Sequence, residues 1–346
     1  MKTKKLLLTG STINPVHLRN YYFLVRDYFD EVLIVGTHKV DFCESVTLNF
    51  SLKNPLSIMK SIKSLKKIMS DFKPSVIHAH QANSVGFITS LANKKKIPQV
   101  ITTWGDDVLI FPKKNFVFRM LARISLNYSH AITADAQIMK TAIEEFVGRK
   151  DVVVANFGID IDQIEPVAKE NIIYSNRLHD PLYNIDQLIL GVKEFLKKNT
   201  SWKLIIAGNG SMTEYLKELA EQNLPAESYE FVGFVSSEKN QSNFLKSTIF
   251  ISIPNTDGTA ISLLEAMAFG CLPILSDLPA NKEWVTDGVN GIIVKDKNLS
   301  NALNQAMTID RSKVQEINHS IIVKRATKQA NRSLFYAIYD NLLKDK

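Results

Sequence analysis

Asp257 and Glu265 stand eight residues apart across the turn and helix start Asp257-Gly258-Thr259-Ala260-Ile261. Before them, Ile249-Phe250-Ile251 has strand character and stops at Pro254-Asn255; after them, Ala260 to Phe269 is rich in strong helix formers. Gly270 stands where a helix end calls for a left-handed residue, and Leu272 to Leu275 begins another buried strand. A strand, a glycine-bearing turn and a helix N-terminus together form an anion site, because unpaired amides and the helix dipole face the ligand. Such a site can hold a phosphate or diphosphate, and a carboxylate beside it can grip two neighbouring hydroxyls at once. Spacing alone leaves a plainer reading open, with Asp257 as a turn or N-cap residue and Glu265 as a solvated helix charge.

The full string tips that balance. Asp257, Glu265, Ala266-Met267-Ala268, Gly270, Pro273, Ser276, Glu283 and Asp287-Gly288-Val289-Asn290-Gly291 follow one another in fixed order. This order resembles the donor-site signature of the family-4 retaining glycosyltransferases (glycosyl transferases group 1), which have the GT-B fold. The resemblance implies that Asp257 hydrogen-bonds donor-sugar hydroxyls and Glu265 the nucleotide ribose, while Gly258, Thr259, Ala260 and Ile261 present amides to the diphosphate. The family usually has Glu at the first position, so Asp257 is one methylene shorter.

Other segments extend the resemblance. Tyr174-Ser-Asn-Arg-Leu-His-Asp-Pro-Leu-Tyr-Asn-Ile-Asp186 is similar to the family's Arg-Leu…Lys-Gly segment, whose cations balance the leaving diphosphate. Arg177 matches, but Leu182-Tyr183-Asn184 stands where the lysine is expected. Tyr183 could donate one neutral hydrogen bond there, or Lys203 or another basic residue could substitute in space. Ala207-Gly208-Asn209-Gly210-Ser211 corresponds to a turn that lies near the nucleotide in the family; strand–helix packing is its rival reading. Gly10 stands alone in Thr9-Gly10-Ser11-Thr12, where the family has a glycine-rich loop approaching the donor phosphate. Thr102-Thr103-Trp104-Gly105-Asp106-Asp107 resembles a Thr-x-His-Gly-x-Asp segment, with Trp104 in place of histidine. A tryptophan can stack on a sugar face but cannot move a proton, so Asp106 or Asp107 becomes the candidate polar group near the acceptor. His78 and His80 share one strand face, and one of them could point toward a ligand; without a third ligand they suggest no metal. Ala134-Asp135-Ala136 and Asn156 to Asp160 read as structural turns.

These residues need a scaffold of parallel strands. Apolar strand-like runs alternate with amphipathic helical runs, which argues for parallel sheets covered by helices. In the first half strands are expected at 5–9, 32–36, 46–50, 76–79, 99–103, 131–133 and 152–155, with helices at 16–28, 56–72, 83–94, 116–128 and 136–147. In the second half strands are expected at 172–174, 203–207, 229–232, 249–252, 272–276 and 291–294. After Lys295 the chain reads as helical to its end, with Leu334, Ile338 and Leu342 on one face. At 346 residues the chain suits two domains rather than one core. The expected division is 1–160 and 161–329, with a linker from Phe157 to Lys169. In the family, a terminal helix like 330–346 packs on the N-terminal domain. The expected fold class is therefore α/β, with two Rossmann-like doubly wound domains facing a cleft.

Composition narrows the function. A hydrophobic content of 45% marks a globular chain, and no apolar run is long enough to span a bilayer. Met1 to Gly10, whose apolar run is short and soon gives way to Asn14-Pro15 and Arg19, reads as holding the first strand rather than a leader. Cys43 and Cys271 are far apart, without metal-ligand spacing, and suit reduced residues in a cytoplasmic protein. Residues 1–150 carry a net +11 and the remainder −4, within an overall +7. Basic clusters at Lys60, Lys63, Lys66 and Lys67, at Lys94 to Lys96, and at Lys113, Lys114, Arg119 and Arg123 are individually ordinary solvated faces. Together they suggest an anionic partner, and without interleaved aromatics a membrane surface is favoured over nucleic acid.

The expected function is transfer of a sugar, hexosyl or N-acetylhexosaminyl, from a nucleotide diphosphate donor to a polyprenyl-diphosphate-linked saccharide in surface polysaccharide assembly. The resemblance implies retention, with Arg177, Asp257 and Asp106 as catalytic candidates and no obligatory metal or other cofactor. The expected location is the inner face of the cytoplasmic membrane. Two alternatives share the site: a nucleotide-sugar 2-epimerase of GT-B fold, and a catalytically weak nucleotide-sugar-binding protein.

Overall fold

A computed structural model describes residues 3–161, 167–295 and 298–344. The chain divides into two compact units, Met1–Gly158 with Lys328–Lys346, and Ile159–Thr327. Both changes of unit fall two residues before the boundaries expected at 160 and 329. Ile159 and Thr327 form a parallel bridge, with the Ile159 amide donating to the Ala326 carbonyl at 2.8 Å, and this keeps both residues in the second unit. Of the expected linker, residues 162–166, including Pro166, lie outside the described residues.

The first unit contains β1 (Lys5–Gly10), α1 (Val16–Val25), β2 (Glu31–Gly36), β3 (Ser45–Thr47), α2 (Pro55–Phe72), β4 (Val76–His80), α3 (Ser84–Asn93), β5 (Gln99–Thr102), α4 (Phe111–Lys114), α5 (Phe116–Tyr128), β6 (Ala131–Ala134), α6 (Gln137–Val147) and β7 (Val152–Val154). The second contains β8 (Glu170–Ser175), α7 (Ile185–Lys198), β9 (Lys203–Ala207), α8 (Thr213–Asn223), β10 (Tyr229–Gly233), α9 (Ser237–Lys246), β11 (Ser247–Ser252), α10 (Ile261–Ala268), β12 (Leu272–Ser276), α11 (Pro279–Lys282), β13 (Ile292–Val294), α12 (Leu299–Ala306) and α13 (Arg311–Arg325). The last helix, α14 (Lys328–Lys344), returns to the first unit.

All strand pairs are parallel, in the orders β3-β2-β1-β4-β5-β6-β7 and β10-β9-β8-β11-β12-β13. Each sheet is covered on both faces, and alternation along the strands shows it. Leu6 and Leu8 of β1 enter the core beneath α1 and α14, while Leu7 enters the one beneath α2 and α3. In β11, Ile249 and Ile251 face one core and Phe250 the other. Buried on both sides, these strands read as continuous apolar runs. The outcome is the doubly wound α/β class in each unit.

Two local expectations shift, and the helical stretch at the end holds but is subdivided. The segment expected as a strand over 46–50 pairs only as Ser45–Thr47, and Leu48 and Phe50 instead turn into the core beneath α2. The stretch after Lys295 is three helices, and Asp310 caps the second by accepting from Ser312 N and Lys313 N. The inward face of α14 is Asn331, Phe335, Ile338 and Tyr339, and Leu334 is 41% exposed. Ile338 belongs to either periodic reading; the aromatic residues decide it, because Phe335 and Tyr339 bury more surface against Tyr21 than Leu334 could. Among the described residues no helix is long and apolar enough to cross a membrane.

Phe335→Ala should therefore cost about 3–5 kcal/mol by opening a cavity in the first unit's core. Leu334→Ala should stay within about 0.5 kcal/mol of the parent. Calorimetric unfolding of the two variants distinguishes this face from the one built on Leu334.

Candidate active site

In an open parallel sheet, ligands gather beyond the C-terminal strand ends, where the strand order reverses direction. In the second unit that point lies between β8 and β11, which pair side by side. The loop after β8 carries Arg177 and the loop after β11 carries Asp257, so topology alone makes them neighbours. The Arg177 guanidinium donates through Nη2 to Asp257 Oδ2 at 2.6 Å and through Nη1 to Ser262 Oγ at 2.9 Å. The two charged side chains are 11% and 22% exposed, so the pair is largely desolvated while one edge still meets solvent. The guanidinium carbon also lies over the Tyr183 ring, 4.6 Å from its centroid. A cation fixed by a carboxylate, a hydroxyl and an aromatic face is pre-oriented for a phosphate.

The loops are held by backbone contacts. Asn184, left-handed at φ 52°, ends the single turn Pro181–Tyr183 and donates to Ile253 O at 2.9 Å and Asn255 Oδ1 at 3.0 Å. The Asn255 amide returns a bond to Leu182 O at 2.9 Å. The Gly208-Asn209-Gly210 turn lies directly under the arginine loop. A Cβ at Gly208, where φ is +116°, would come within 2.4 Å of Arg177 O, and one at Gly210 within 2.5 Å of His179 O. His179 N donates to Asn209 O at 3.1 Å. Both glycines thus allow the close approach that sets the height of Arg177.

Ala260 precedes α10 without a side-chain cap, so Gly258, Thr259, Ala260 and Ile261 lead straight into that helix start. Trp284 Nε1 braces this loop through Thr259 Oγ1 at 3.3 Å. Gly270 ends the helix with φ +75°. Glu265, about one turn into α10, accepts from Asn240 Nδ2 at 3.2 Å, and Asn240 Oδ1 accepts from Tyr174 OH at 2.8 Å and Asn176 Nδ2 at 3.0 Å. Burial pushes the Glu265 carboxyl up to about 7. Ser175 Oγ, Asn176 Oδ1 and His179 Nε2 are buried without a partner at this same strand end. Several such deficits in one place mark a location where a polar ligand or water belongs.

The second unit therefore gathers Arg177, Tyr183, Asp257 and the 258–261 loop, with Glu265 linked to them through Asn240 and Asn176. Lys203 does not replace the missing lysine. It begins β9, at the opposite end of the sheet, and pairs with Glu230 at 2.7 Å. Ser262, Asn240 and Asn176 were missed by sequence reasoning, since small polar residues on helices and strand ends carry no spacing signal. The Asp287–Gly291 segment is scaffolding: Asp287 Oδ1 accepts from Ile293 N at 3.1 Å, and Asn290 Nδ2 donates to Trp284 O at 2.9 Å.

In the first unit the reversal lies between β1 and β4, and it is filled. Gly10 ends β1 so close to α1 that a Cβ would come within 2.7 Å of Leu18 Cδ1. His78 and His80 are both fully buried, so neither is presented at a surface. His78 Nδ1 meets Tyr21 OH and Tyr339 OH, each at 2.8 Å, and its Nε2 meets Thr102 Oγ1 at 2.7 Å. Trp104 Nε1 donates to His80 Nδ1 at 3.1 Å, and its ring lies 4.8 Å from that of His17. Trp104 is thus engaged by the protein rather than held out to stack on a sugar. Burial lowers both buried histidines, His80 to about 3, so they are neutral packing groups. Asp107 is buried, raised to about 6 by desolvation, and accepts from the amides of Ala82, Trp104 and Gly105. It shapes the turn, and Asp106 beside it is exposed. Among the described residues no three potential metal-binding side chains converge.

Residues 159–324 match the family model of the glycosyl transferases group 1, and residues 35–136 that of the glycosyl transferase 4-like proteins. The chain is 25% identical over 247 residues to a GDP-mannose:cellobiosyl-diphosphopolyprenol alpha-mannosyltransferase of Xanthomonas oryzae pv. oryzae. That match covers 68% of this chain but 64% of the relative, so the chain spans less than two thirds of that protein's length. In fold it is similar to a glycosyltransferase from Rickettsia africae, with a TM-score of 0.83, 15% identity and all of both chains covered. It is likewise similar to HepE of Anabaena in complex with UDP, with a TM-score of 0.79, 16% identity, and 98% and 100% of the two chains covered.

Glu265 gives the site a pH signature. Its proton is held by the folded state up to about 7 but released from an ordinary carboxyl near 4.5. The stability this proton brings is complete below the lower value and lost as pH rises through the upper one. Glu265→Gln mimics the protonated form, so its stability relative to the parent should grow across that window by roughly 1–3 kcal/mol. Melting both proteins at acid, neutral and mildly alkaline pH tests this; a constant difference would refute it.

Proposed function

We propose that the chain, matched in its two parts by the group 1 and the 4-like glycosyltransferase models, is a group 1 glycosyltransferase of GT-B fold that transfers a sugar, with retention, from a nucleotide diphosphate donor. The carrying observation is the Arg177 guanidinium, fixed by Asp257 and Ser262 at the start of α10 where β8 and β11 part. In this reading the donor diphosphate lies between Arg177 and the amides of residues 258–261. Asp257 turns to the sugar hydroxyls and Glu265 to the ribose, with Gly208, Asn209 and Gly210 lining the nucleotide side. The bond from the anomeric carbon to the diphosphate oxygen breaks while the acceptor oxygen bonds to that carbon on the same face. The acceptor proton passes to the departing phosphate. Charge building on the leaving group is met by fixed dipoles and one cation, so catalysis is electrostatic and positional. This assignment asks for no metal.

Tyr183 replaces a second cation by shaping the first. Its ring under the guanidinium favours the charge without adding one, which predicts weaker leaving-group stabilisation than a lysine would supply. Gly10 and Asp106 remain the proposed contributions of the first unit, to donor phosphate and acceptor respectively. The Xanthomonas relative's name specifies a saccharide on a polyprenyl diphosphate. This supports a lipid-linked acceptor here; the proposal adds to it a role in surface polysaccharide assembly at the inner face of the cytoplasmic membrane. The donor is proposed to be hexosyl or N-acetylhexosaminyl.

A panel of nucleotide sugars incubated with the protein and a membrane lipid extract, read as free nucleotide diphosphate, tests the proposal. Release from one donor, raised by the extract, is expected. Saturable donor binding without release would favour a binding protein, and an epimerised sugar would favour an isomerase. Arg177→Ala should reduce release by about 100-fold or more with the fold intact; near-parental activity would remove Arg177 from the phosphate.

A further inference from the structure

Residues 113–120, from the end of α4 into α5, are exposed without interruption. Within them Phe116 is 76%, Val117 55% and Met120 41% exposed, an unusual concentration for a solvated helix start. Cations surround them: Lys113, Lys114, Arg119 and Arg123 all lie on the surface. No Asp or Glu occurs between residues 108 and 134, so the segment carries +4 undiluted. Among the described residues none of these four cations has an ion-pair partner; Lys114 lies over Phe111 and Arg119 over Phe146. Beneath the segment, a bay of about 550 Å3 lined mainly by apolar groups, among them Phe50, Leu52, Phe111, Phe118 and Leu121, carries the apolar surface inward.

We propose that the corner between α4 and α5 is a membrane-inserting element, with Phe116, Val117 and Met120 entering the acyl boundary of an anionic bilayer and the four cations lying at its headgroups. This deepens the function proposed above, since it rests on a lipid-borne acceptor and names the part of the chain that meets the lipid. Two features favour a bilayer over another occupant. Along the chain the charged residues flanking the apolar ones are all cations, whereas a patch that pairs with a second copy of itself would place like charges together. The arrangement also matches the division of labour in interfacial helices, where buried apolar area and attraction to anionic lipid act together. The Asn115 side chain accepts from Phe118 N at 3.0 Å and fixes the corner, so insertion requires no refolding.

Vesicle flotation tests the idea, using phosphatidylcholine alone and an equal mixture with phosphatidylglycerol. The parent should bind the mixed vesicles, and the exposed triple variant Phe116→Ser, Val117→Ser, Met120→Ser should bind them at least about tenfold more weakly. Its melting temperature should be unchanged. In a separate variant, Phe116→Trp should add emission that shifts to the blue on mixed vesicles and is quenched by brominated lipid. Parental binding by the triple variant, or no binding by the parent, would overturn the proposal. So would a dimer that the triple variant dissolves while vesicle binding persists. Vesicle binding without sugar transfer would sink the transferase reading and leave this one standing; transfer to a detergent-dispersed acceptor without vesicle binding would do the reverse.

Discussion

The second unit is built around one ion pair that spans a break between two strands. Arg177 and Asp257 are eighty residues apart in the chain, yet β8 and β11 are paired and their loops leave the sheet together. A carboxylate and a guanidinium taken this far out of water would cost more than they return if left unsupported. Support comes from Ser262, the Tyr183 ring and the interlocked 182–184 and 253–255 backbones. The glycines at 208 and 210 then have a reason that does not require a ligand: any side chain there would lift the arginine loop off its seat.

This arrangement makes the site's two carboxylates unlike each other. Asp257 meets a full positive charge at 2.6 Å. Glu265 meets only an amide and is driven toward its neutral form by burial. A charged carboxylate competes with incoming phosphate for the guanidinium, whereas one near neutrality can accept or donate to a diol. The difference follows from neighbours rather than from position along α10, since both residues belong to one loop-and-helix segment.

Much of this was legible in the chain. Strands buried on both faces announce themselves as apolar runs, which is why Lys203–Ala207 and Leu272–Ser276 fall where expected. Gly270 and the 257–265 spacing likewise report backbone requirements that are local. What was not legible depends on partners distant in sequence. Leu334 and Phe335 offer equally good helical faces until Tyr21 and His78 are known to lie opposite. Lys203 could stand in for a missing lysine only if strand ends were interchangeable, and pairing with Glu230 puts it at the wrong one. Trp104 looked available because nothing nearby in sequence shows that His17 and His80 enclose it.

The two units share a topology and use it differently. At the reversal between β1 and β4, neutral imidazoles, tyrosines and an indole satisfy one another, with only His80 Nε2 left without a partner in that network. At the reversal between β8 and β11, charge is paired but part-exposed, and three buried polar atoms lack partners. A closed polar network lends rigidity, while an incompletely satisfied one has free energy to gain from a ligand. By that criterion the second unit has the more to gain from a bound ligand, while in the first the buried Asp107 turn serves packing and leaves Gly10 and Asp106 as its proposed contributions. Its exposed side chains, the four cations and the apolar corner above all, are then what it offers to a partner larger than a nucleotide.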